Sequence, residues 1–495
     1  MIISLPRFLK AQQINTLYFM EEVPMRHMLN PSFQPTTDYY LSLPVIGMTQ
    51  FNAGNNSVSL KDAFYPVDGK TINYLDPQAD PQNFYNELYQ NTVLKVDFQT
   101  NLLSFGYRHK SDYWTFTVTE KMEGTVDLPK DLFRVTLFNT QKTQTNSFDF
   151  ASLQGDISVY TESALGYSTQ FNKKWIIGGK LKLLVGSANA SNHIKQAKLD
   201  ISPTEVLLRG YGTENYSGPF EVIPGLNSQS FTFKTPAGVG GWLKPAGLGA
   251  GFDAGCQYQW DDKITLSASL LDIGFIHWTS NALNYKTTAK YNFIGINVFN
   301  NNSTVYSFQD IYNQLIGGNT LSDSISKALR KTLNSVYSTN SYTTATTGKL
   351  NLGVEYSLLK DKLSLGVLSY SQLFRSIVTE EITLSANSHP YHWLDASLSY
   401  SLVNGRFSTL GAGVGIRTGI FEWFAAADYI PLQTKTLTLQ EMGIHNTGIN
   451  IGIPYNSKYF NLSAGMNIVF NKSENRKNRG LVRSRKRNDC NCEPN

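Results

Sequence analysis

The sequence predicts an all-β fold, a single transmembrane antiparallel β-barrel of about 14 strands with a short N-terminal hatch-like segment. Three observations carry that expectation. The first is a set of long segments in which apolar and polar residues alternate, clearest between Ser158 and Gly186. There Val159, Leu165, Tyr167 and Phe171 fall on one side, and Glu162, Gly166, Ser168 and Gln170 on the other. Past Asn172-Lys173-Lys174, Trp175, Ile177, Leu181, Leu183 and Val185 continue the apolar side, with Lys180 and Lys182 opposite. Successive strand residues face opposite sides of a sheet, so each arm has one greasy and one polar face. The arms run to about a dozen residues, longer than an ordinary sandwich strand and long enough for a tilted strand to cross a bilayer. The second observation is the lack of any run of about 18 apolar residues, which excludes helical membrane spans. The third is an asymmetry of connections. Short polar turns alternate with connections covering 119–156, 187–248, 277–347 and 376–390, the pattern of outer-membrane barrels.

Composition agrees. Aromatic residues make up 13% of the chain, 27 of them tyrosines, as suits a wall that is apolar on alternate residues only. The formal net charge is +5, and the tail after Phe470 alone sets eight Lys/Arg against Glu474, Asp489 and Glu493. Residues 1–470 are therefore neutral overall, which excludes a nucleic-acid-binding body. Cys256 lies among alternating apolar positions as a wall residue. Cys490 and Cys492 form a C-x-C with no second Cys/His pair nearby, so a periplasmic disulfide or an idle tail is expected rather than a metal site.

In chain order, residues 1–11 read as the remnant of a secretory signal, with Lys10-Ala11-Gln12 as a small-residue cleavage site. Residues 12–38 carry no strand pattern and hold Pro24, Pro31 and Pro35, which makes them the hatch- or plug-like segment. The barrel is expected over 39–470 and a basic, disordered periplasmic tail over 471–495. A first strand covers Tyr39–Val45 with Pro44 at its edge. Residues 52–92 are polar, with turn signals at Asp68-Gly69, Asp76-Pro77 and Asp80-Pro81 and a short helix expected in 80–91. Five hairpins follow, turning at 109–112, 172–174, 261–263, 360–362 and 404–406. The connections hold two helix candidates, Asp127–Asn139 and Leu321–Tyr337. The second is capped by Ser322 or Asp323, with Ile325, Leu329, Leu333 and Val336 on one face. Ile420–Ile430, Gly448–Ile453 and Phe460–Phe470 complete the strand count. An even count returns both termini to one side, expected to be the periplasm.

Met20–Lys61, LLSFGYRHKSDYWTFTVTEK, LPKDLFRVTLFN, VYTESALGYSTQF, GGKLKLLVG and LLDIGFIHW together resemble the DUF5723 family of Bacteroidota outer-membrane proteins, over most of the chain. The resemblance implies a signal-bearing barrel in the bacterial outer membrane and brings no activity with it. More distantly, Asn30-Pro31-Ser32 after an irregular N-terminus is similar to the Asn-Pro-Ala of FadL-type fatty-acid transporter barrels and of the type IX secretion barrel PorV. Ser32 stands where those barrels have Ala. The likeness implies a hatch motif at Asn30 and Pro31.

Chemistry-bearing residues give bland readings. His389 and His392 have metal-like spacing but precede a strand without a carboxylate or thiol in view, so a rim or loop pair is expected. His277-Trp278 at a strand end reads as an interfacial amphipathic pair. No Gly-x-Ser-x-Gly occurs, and serines alternate through every strand because the lumen face is polar. The glycine runs at 238–241, 247–251 and 411–415 lack P-loop context and read as places where the wall bends. Glu162, Lys180, Lys182, Glu355 and Arg417 are the lumen-facing polar candidates. The chain is thus expected to be no enzyme and to need no metal or cofactor. Its expected partners are membrane lipid, the outer-membrane assembly machinery and a hydrophobic small molecule, with passage or binding of small apolar molecules as the leading role. The rival expectation is a non-transporting scaffold or secretion accessory that holds a partner protein at the rim.

Overall fold

The computed structural model describes residues 15–44, 46–67, 70–74, 76, 78–138, 146–202, 205–224, 231–242, 244–294, 333–359, 362–374, 377–403, 407–430, 434–438, 450–454 and 458–471. Within them, 14 antiparallel wall strands close on themselves. The first is interrupted, Tyr39–Ser42 and then Thr49–Asn55. Asn91–His109, Asp112–Pro129, Gln154–Gln170 and Trp175–Ile201 follow. Gly247–Gln259, Ile264–Trp278, Gly348–Leu358, Leu363–Phe374 and Ile377–Tyr391 continue the wall. Leu394–Val403, Phe407–Thr418, Phe421–Asp428 and Tyr459–Phe470 complete it. Closure comes from Tyr459–Phe470, which pairs with Phe421–Asp428 on one side and with both halves of the first strand on the other. A closed ring leaves no backbone donor or acceptor unpaired at a wall edge, the condition for a sheet to sit in hydrocarbon.

Alternation sorts the side chains as the sequence predicts. Outward residues include Leu165, Leu181, Leu183, Leu352, Leu384 and Leu398, with Leu181 73% and Leu398 68% exposed. Their neighbours Glu162, Lys182, Asn351, Thr383 and Ser399 are buried inside. A water-soluble protein does not carry an apolar belt around its whole girth. Hydrocarbon is the solvent that this surface fits.

The strand count matches the expectation, but through two compensating differences. Ile377–Tyr391, expected inside a long connection, is a full wall strand between Leu363–Phe374 and Leu394–Val403. Asn450–Pro454, expected in the wall, instead pairs with Thr434–Thr438 in a two-stranded ribbon outside it. The extra strand reverses the direction of the strands after it, so Leu394–Val403 and Phe407–Thr418 join at the long-connection rim. On the short-turn rim the turn is instead at 419–420, between Phe407–Thr418 and Phe421–Asp428. Pro44 breaks the first strand rather than sitting at its edge, because it lacks the ladder N–H. The chain resumes with Met48 buried inside.

The connections carry structure of their own. Pro81–Glu87 and Lys130–Leu137 are helices, as expected within 80–91 and 127–139. Leu333–Ser338 is a strand where the second helix was expected to end, because it pairs with Leu283–Ile294; residues 321–332 lie outside the described ones. Trp175–Ile201 runs on past the wall and pairs with Glu205–Ser217, which pairs with Leu283–Ile294, giving a sheet that stands above the long-connection rim. Gly238–Trp242 is a short helix, not a bend in the wall. The expected signal remnant at 1–11, the expected turns at 360–361 and 404–406, and residues 472–495 with Cys490 and Cys492 lie outside the described residues.

Candidate functional site: a filled lumen

Residues 15–37 fold inside the barrel. Two 3-10 turns, Thr16–Phe19 and Pro24–Met28, carry Leu17, Tyr18, Phe19, Met20, Val23 and Met25 into a core shared with Tyr40, Tyr113, Leu368, Phe424 and Val469 of the wall. Burying each such side chain stabilises the arrangement by roughly 1.5–3 kcal/mol. Room is made by glycines. A Cβ on Gly366 would lie 2.6 Å from the Phe19 ring, one on Gly413 2.6 Å from Met20 Sδ, and one on Gly353 2.8 Å from the Tyr18 ring. The glycine run at 411–415 therefore has a reason beyond wall bending, because it seats Thr16, Met20 and Val23.

Wall carboxylates hold the backbone of this segment. Asp428 accepts the N–H of Asn15 at 2.8 Å and of Thr16 at 3.3 Å. Asp395 accepts the N–H of Glu22 at 3.0 Å through one oxygen, while its other oxygen lies 2.9 Å from His389 Nδ1. His389 thus does have a carboxylate beside it, brought across the tight turn, but the described residues hold no metal-like group of three ligands. Asn30 donates to Ala268 O at 3.1 Å and accepts from the Ser32 N–H and hydroxyl at 3.0 and 2.7 Å. Ser32 is accordingly a partner of Asn30 in its turn. Pro31 lies on Gly178, where a Cβ would sit 2.3 Å from the proline carbonyl oxygen. Gly178→Ala should force backbone against backbone and cost about 1–3 kcal/mol. Thermal unfolding and protease access to the segment check this; an unchanged melting temperature would contradict the packing described. His27 is fully buried against Tyr40, with Nε2 and the phenol oxygen 2.5 Å apart. Burial, helped by the positive charge of Lys180, holds its imidazole well below the ordinary range, so it is neutral.

Above this segment lies a layer of buried charge. Lys121 Nζ is 2.7 Å from Glu162 and 3.0 Å from Asp272. Lys182 Nζ is 3.3 Å from Glu162, 2.7 Å from Asp253 and 2.5 Å from Asp272. Lys349 reaches Asp272 at 2.8 Å. Of the lumen candidates, the structure brings together Glu162, Lys180 and Lys182. Glu355 is inward but apart, accepting from Ser364 at 2.6 Å, and Arg417 lies at the short-turn rim beside Gly419. Sequence reasoning missed Lys121, Lys349, Asp253 and Asp272. Strand parity marks Lys121 and Lys349 as inward. Asp253 and Asp272 sit where the register between Gly247–Gln259 and Ile264–Trp278 shifts, with Asp272 at φ 56°. A bulge re-aims a side chain, and period two alone does not reveal it.

Toward the long-connection rim the lumen opens into a cavity of about 310 Å³. Val93, Ile276, Tyr160, Tyr342 and Tyr459 give it apolar surface, and Lys95, Asp97, Glu123 and Asp156 its charge. Glu123 accepts from Tyr160 at 3.0 Å and from Thr347 at 2.9 Å. Below the cavity wall, Trp278 is fully buried over Gly186 and donates to Thr344 at 2.8 Å, while His277 faces outward. They do not form the interfacial pair expected, since adjacent strand residues point to opposite faces.

A closed 14-stranded antiparallel barrel with an occupied lumen is the class of protein that these features define. The chain belongs to a family of unknown function, DUF5723, whose pattern matches residues 31–428. No curated protein is similar enough to match it. Among solved structures it is similar to a Pseudomonas aeruginosa FadL homologue, at 9% identity and TM-score 0.38 over 94% of this chain and 100% of that one. It is similar to the Pseudomonas putida toluene transporter TodX, at 8% identity and TM-score 0.38 over 89% and 92%. A third is the Ralstonia pickettii toluene transporter TbuX, at 9% identity and TM-score 0.36 over 91% and 94%.

Proposed function

We propose that the chain is a bacterial outer-membrane barrel that passes or binds small, predominantly apolar molecules, with residues 12–38 as its hatch and both termini in the periplasm. The supporting observation is the stacking along the barrel axis. A cavity of about 310 Å³ with three tyrosines, Val93 and Ile276 in its lining opens toward one rim, and the N-terminal segment fills the lumen toward the other. A cavity of this size suits a compact organic solute, whose apolar body would lie on those side chains and whose polar groups would meet the charged residues and threonines that make up much of the rest of the lining. Cycles of entry then require residues 15–37 to move, since they occupy the route. The scaffold reading draws on a different feature, the sheet above the rim, whose Val336 is 62% exposed.

Uptake of labelled small aromatic hydrocarbons and fatty acids by a deletion strain, with and without the restored chain, separates the two. Passage predicts uptake that falls on deletion and returns on restoration. Unchanged uptake, together with loss of a protein complex at the cell surface, would overturn it in favour of scaffolding.

A further inference from the structure

Charge is unevenly placed along this chain. Residues 1–470 are neutral overall, yet Lys195, Lys198, Arg209, Lys286 and Lys290 stand on one face of the sheet above the long-connection rim. Arg209 lies directly opposite Lys198 on one neighbouring strand and Lys290 on the other, so the three share a row. Directly opposed residues of antiparallel strands point to the same side, about 5 Å apart. Thr213 puts Lys286 on that side, and Lys195, the extra residue at a register shift, lies 5.7 Å over the Tyr211 ring. All five cations are exposed. Arg209 pairs with Asp200 at 2.9 Å, while the four lysines have no ion pair among the described residues. From the row of Lys286 to the row of Asp200, the face sets five cations against Asp200 and Asp149, which stands opposite Lys198.

The reverse face of this sheet is apolar and covered, since Leu199 and Ile201 pack with Phe148 and with Val135 of the helix Lys130–Leu137. Like charges set directly opposite one another destabilise a sheet, and an anionic partner would offset that cost. His193 shares the row of Lys286 and lines the cavity, so the basic face begins at the cavity mouth. Lys290 is four strand residues further on, about 14 Å. Cations spread over that length fit an extended array of negative charge. Such a partner stays outside the cavity, whose own lining sets Asp97, Glu123 and Asp156 against Lys95. Thr213, Gln196 and Thr288 stand between the cations, with hydroxyl and amide groups that hydrogen-bond sugar hydroxyls. Single-stranded nucleic acid instead needs aromatic platforms for its bases, and Tyr211 is the one described aromatic residue in these rows. We propose that this face binds an extended acidic glycan, with carboxylate or sulfate groups on Lys198, Arg209 and Lys290. With the termini in the periplasm, the face lies on the outer side of the membrane, and its role does not depend on which solute the barrel carries.

Binding of fluorescently labelled polygalacturonate to the purified full chain in neutral detergent tests this, with dextran as the uncharged counterpart. Polygalacturonate should bind and dextran should not, and added salt should weaken the complex. The double variant Lys198→Gln, Lys290→Gln should weaken binding about tenfold, the scale for losing two exposed ion pairs. The double variant Lys173→Gln, Lys174→Gln removes the same charge from a turn on the opposite rim and should leave the affinity unchanged. Neither variant touches the basic residues after Phe470, so their contribution is common to both. Absence of polygalacturonate binding, an undiminished affinity in Lys198→Gln, Lys290→Gln, or an equal loss in the turn variant would each overturn the assignment. Tighter binding of oligodeoxythymidine or polyglutamate of equal charge, through the same two lysines, would overturn it in favour of a nucleic acid or an acidic protein.

Discussion

Asp272→Asn is expected to cost about 3–5 kcal/mol of barrel stability, the scale for removing one partner from a buried ion pair. Asp272 is the hub of the charged layer, facing the ammonium groups of Lys121, Lys182 and Lys349. Losing its charge leaves the buried Lys121 and Lys182 and the partly buried Lys349 with Glu162 and Asp253 alone among their ion-pair partners. Lys349 is hit hardest, since Asp272 is its sole ion-pair partner among the described residues. The hit to Lys349 makes the prediction specific. The double variant Asp272→Asn, Lys349→Met removes the stranded cation as well and should recover part of the loss, a coupling that independent sites would not show. Unfolding in detergent measures both, and additive effects would mean that the layer is not one network.

Leu181→Arg carries the second large effect. Leu181 is 73% exposed near the middle of the strand Trp175–Ile201 where it forms wall. On a surface facing water, that change would fall within about 0.5 kcal/mol of neutral. At the midplane of a bilayer it should cost about 2–4 kcal/mol. Folding into lipid vesicles should show the full penalty. The inward Thr117, buried in the lumen, is no substitute for this test, because a charge there meets other polar groups.

Much of the fold was legible because a barrel wall writes itself as period two, and the arms of Gln154–Gln170 and Trp175–Ile201 show it plainly. Ile377–Tyr391 was not legible because it holds few large apolar residues on its outward face, chiefly Ile382 and Leu384, in a segment that also carries Glu380, Glu381, Ser385 and Ser388. Gly448–Ile453 misled for the opposite reason, since a short ribbon alternates as well as a wall strand does. For the lumen, parity put Glu162, Lys180 and Lys182 inside but gave no hint that they share one layer, because that depends on strand order and stagger. The irregular residues 12–38 announced a segment outside the sheet through their prolines. Where its side chains would dock rests on glycines in strands hundreds of residues away, such as Gly366 and Gly413.

A membrane-spanning barrel requires its outer belt to be bathed in lipid chains. Nitroxide labels placed at positions 165, 181, 183 and 398 of the membrane-reconstituted barrel measure that contact through relaxation by oxygen and by a water-soluble nickel chelate. The labels should be reached freely by oxygen and hardly at all by the chelate, with labels at Asn172 and Lys173 showing the reverse. Strong relaxation by the chelate at 181 and 183 would mean that water covers the belt, and the membrane-spanning reading would fall with it.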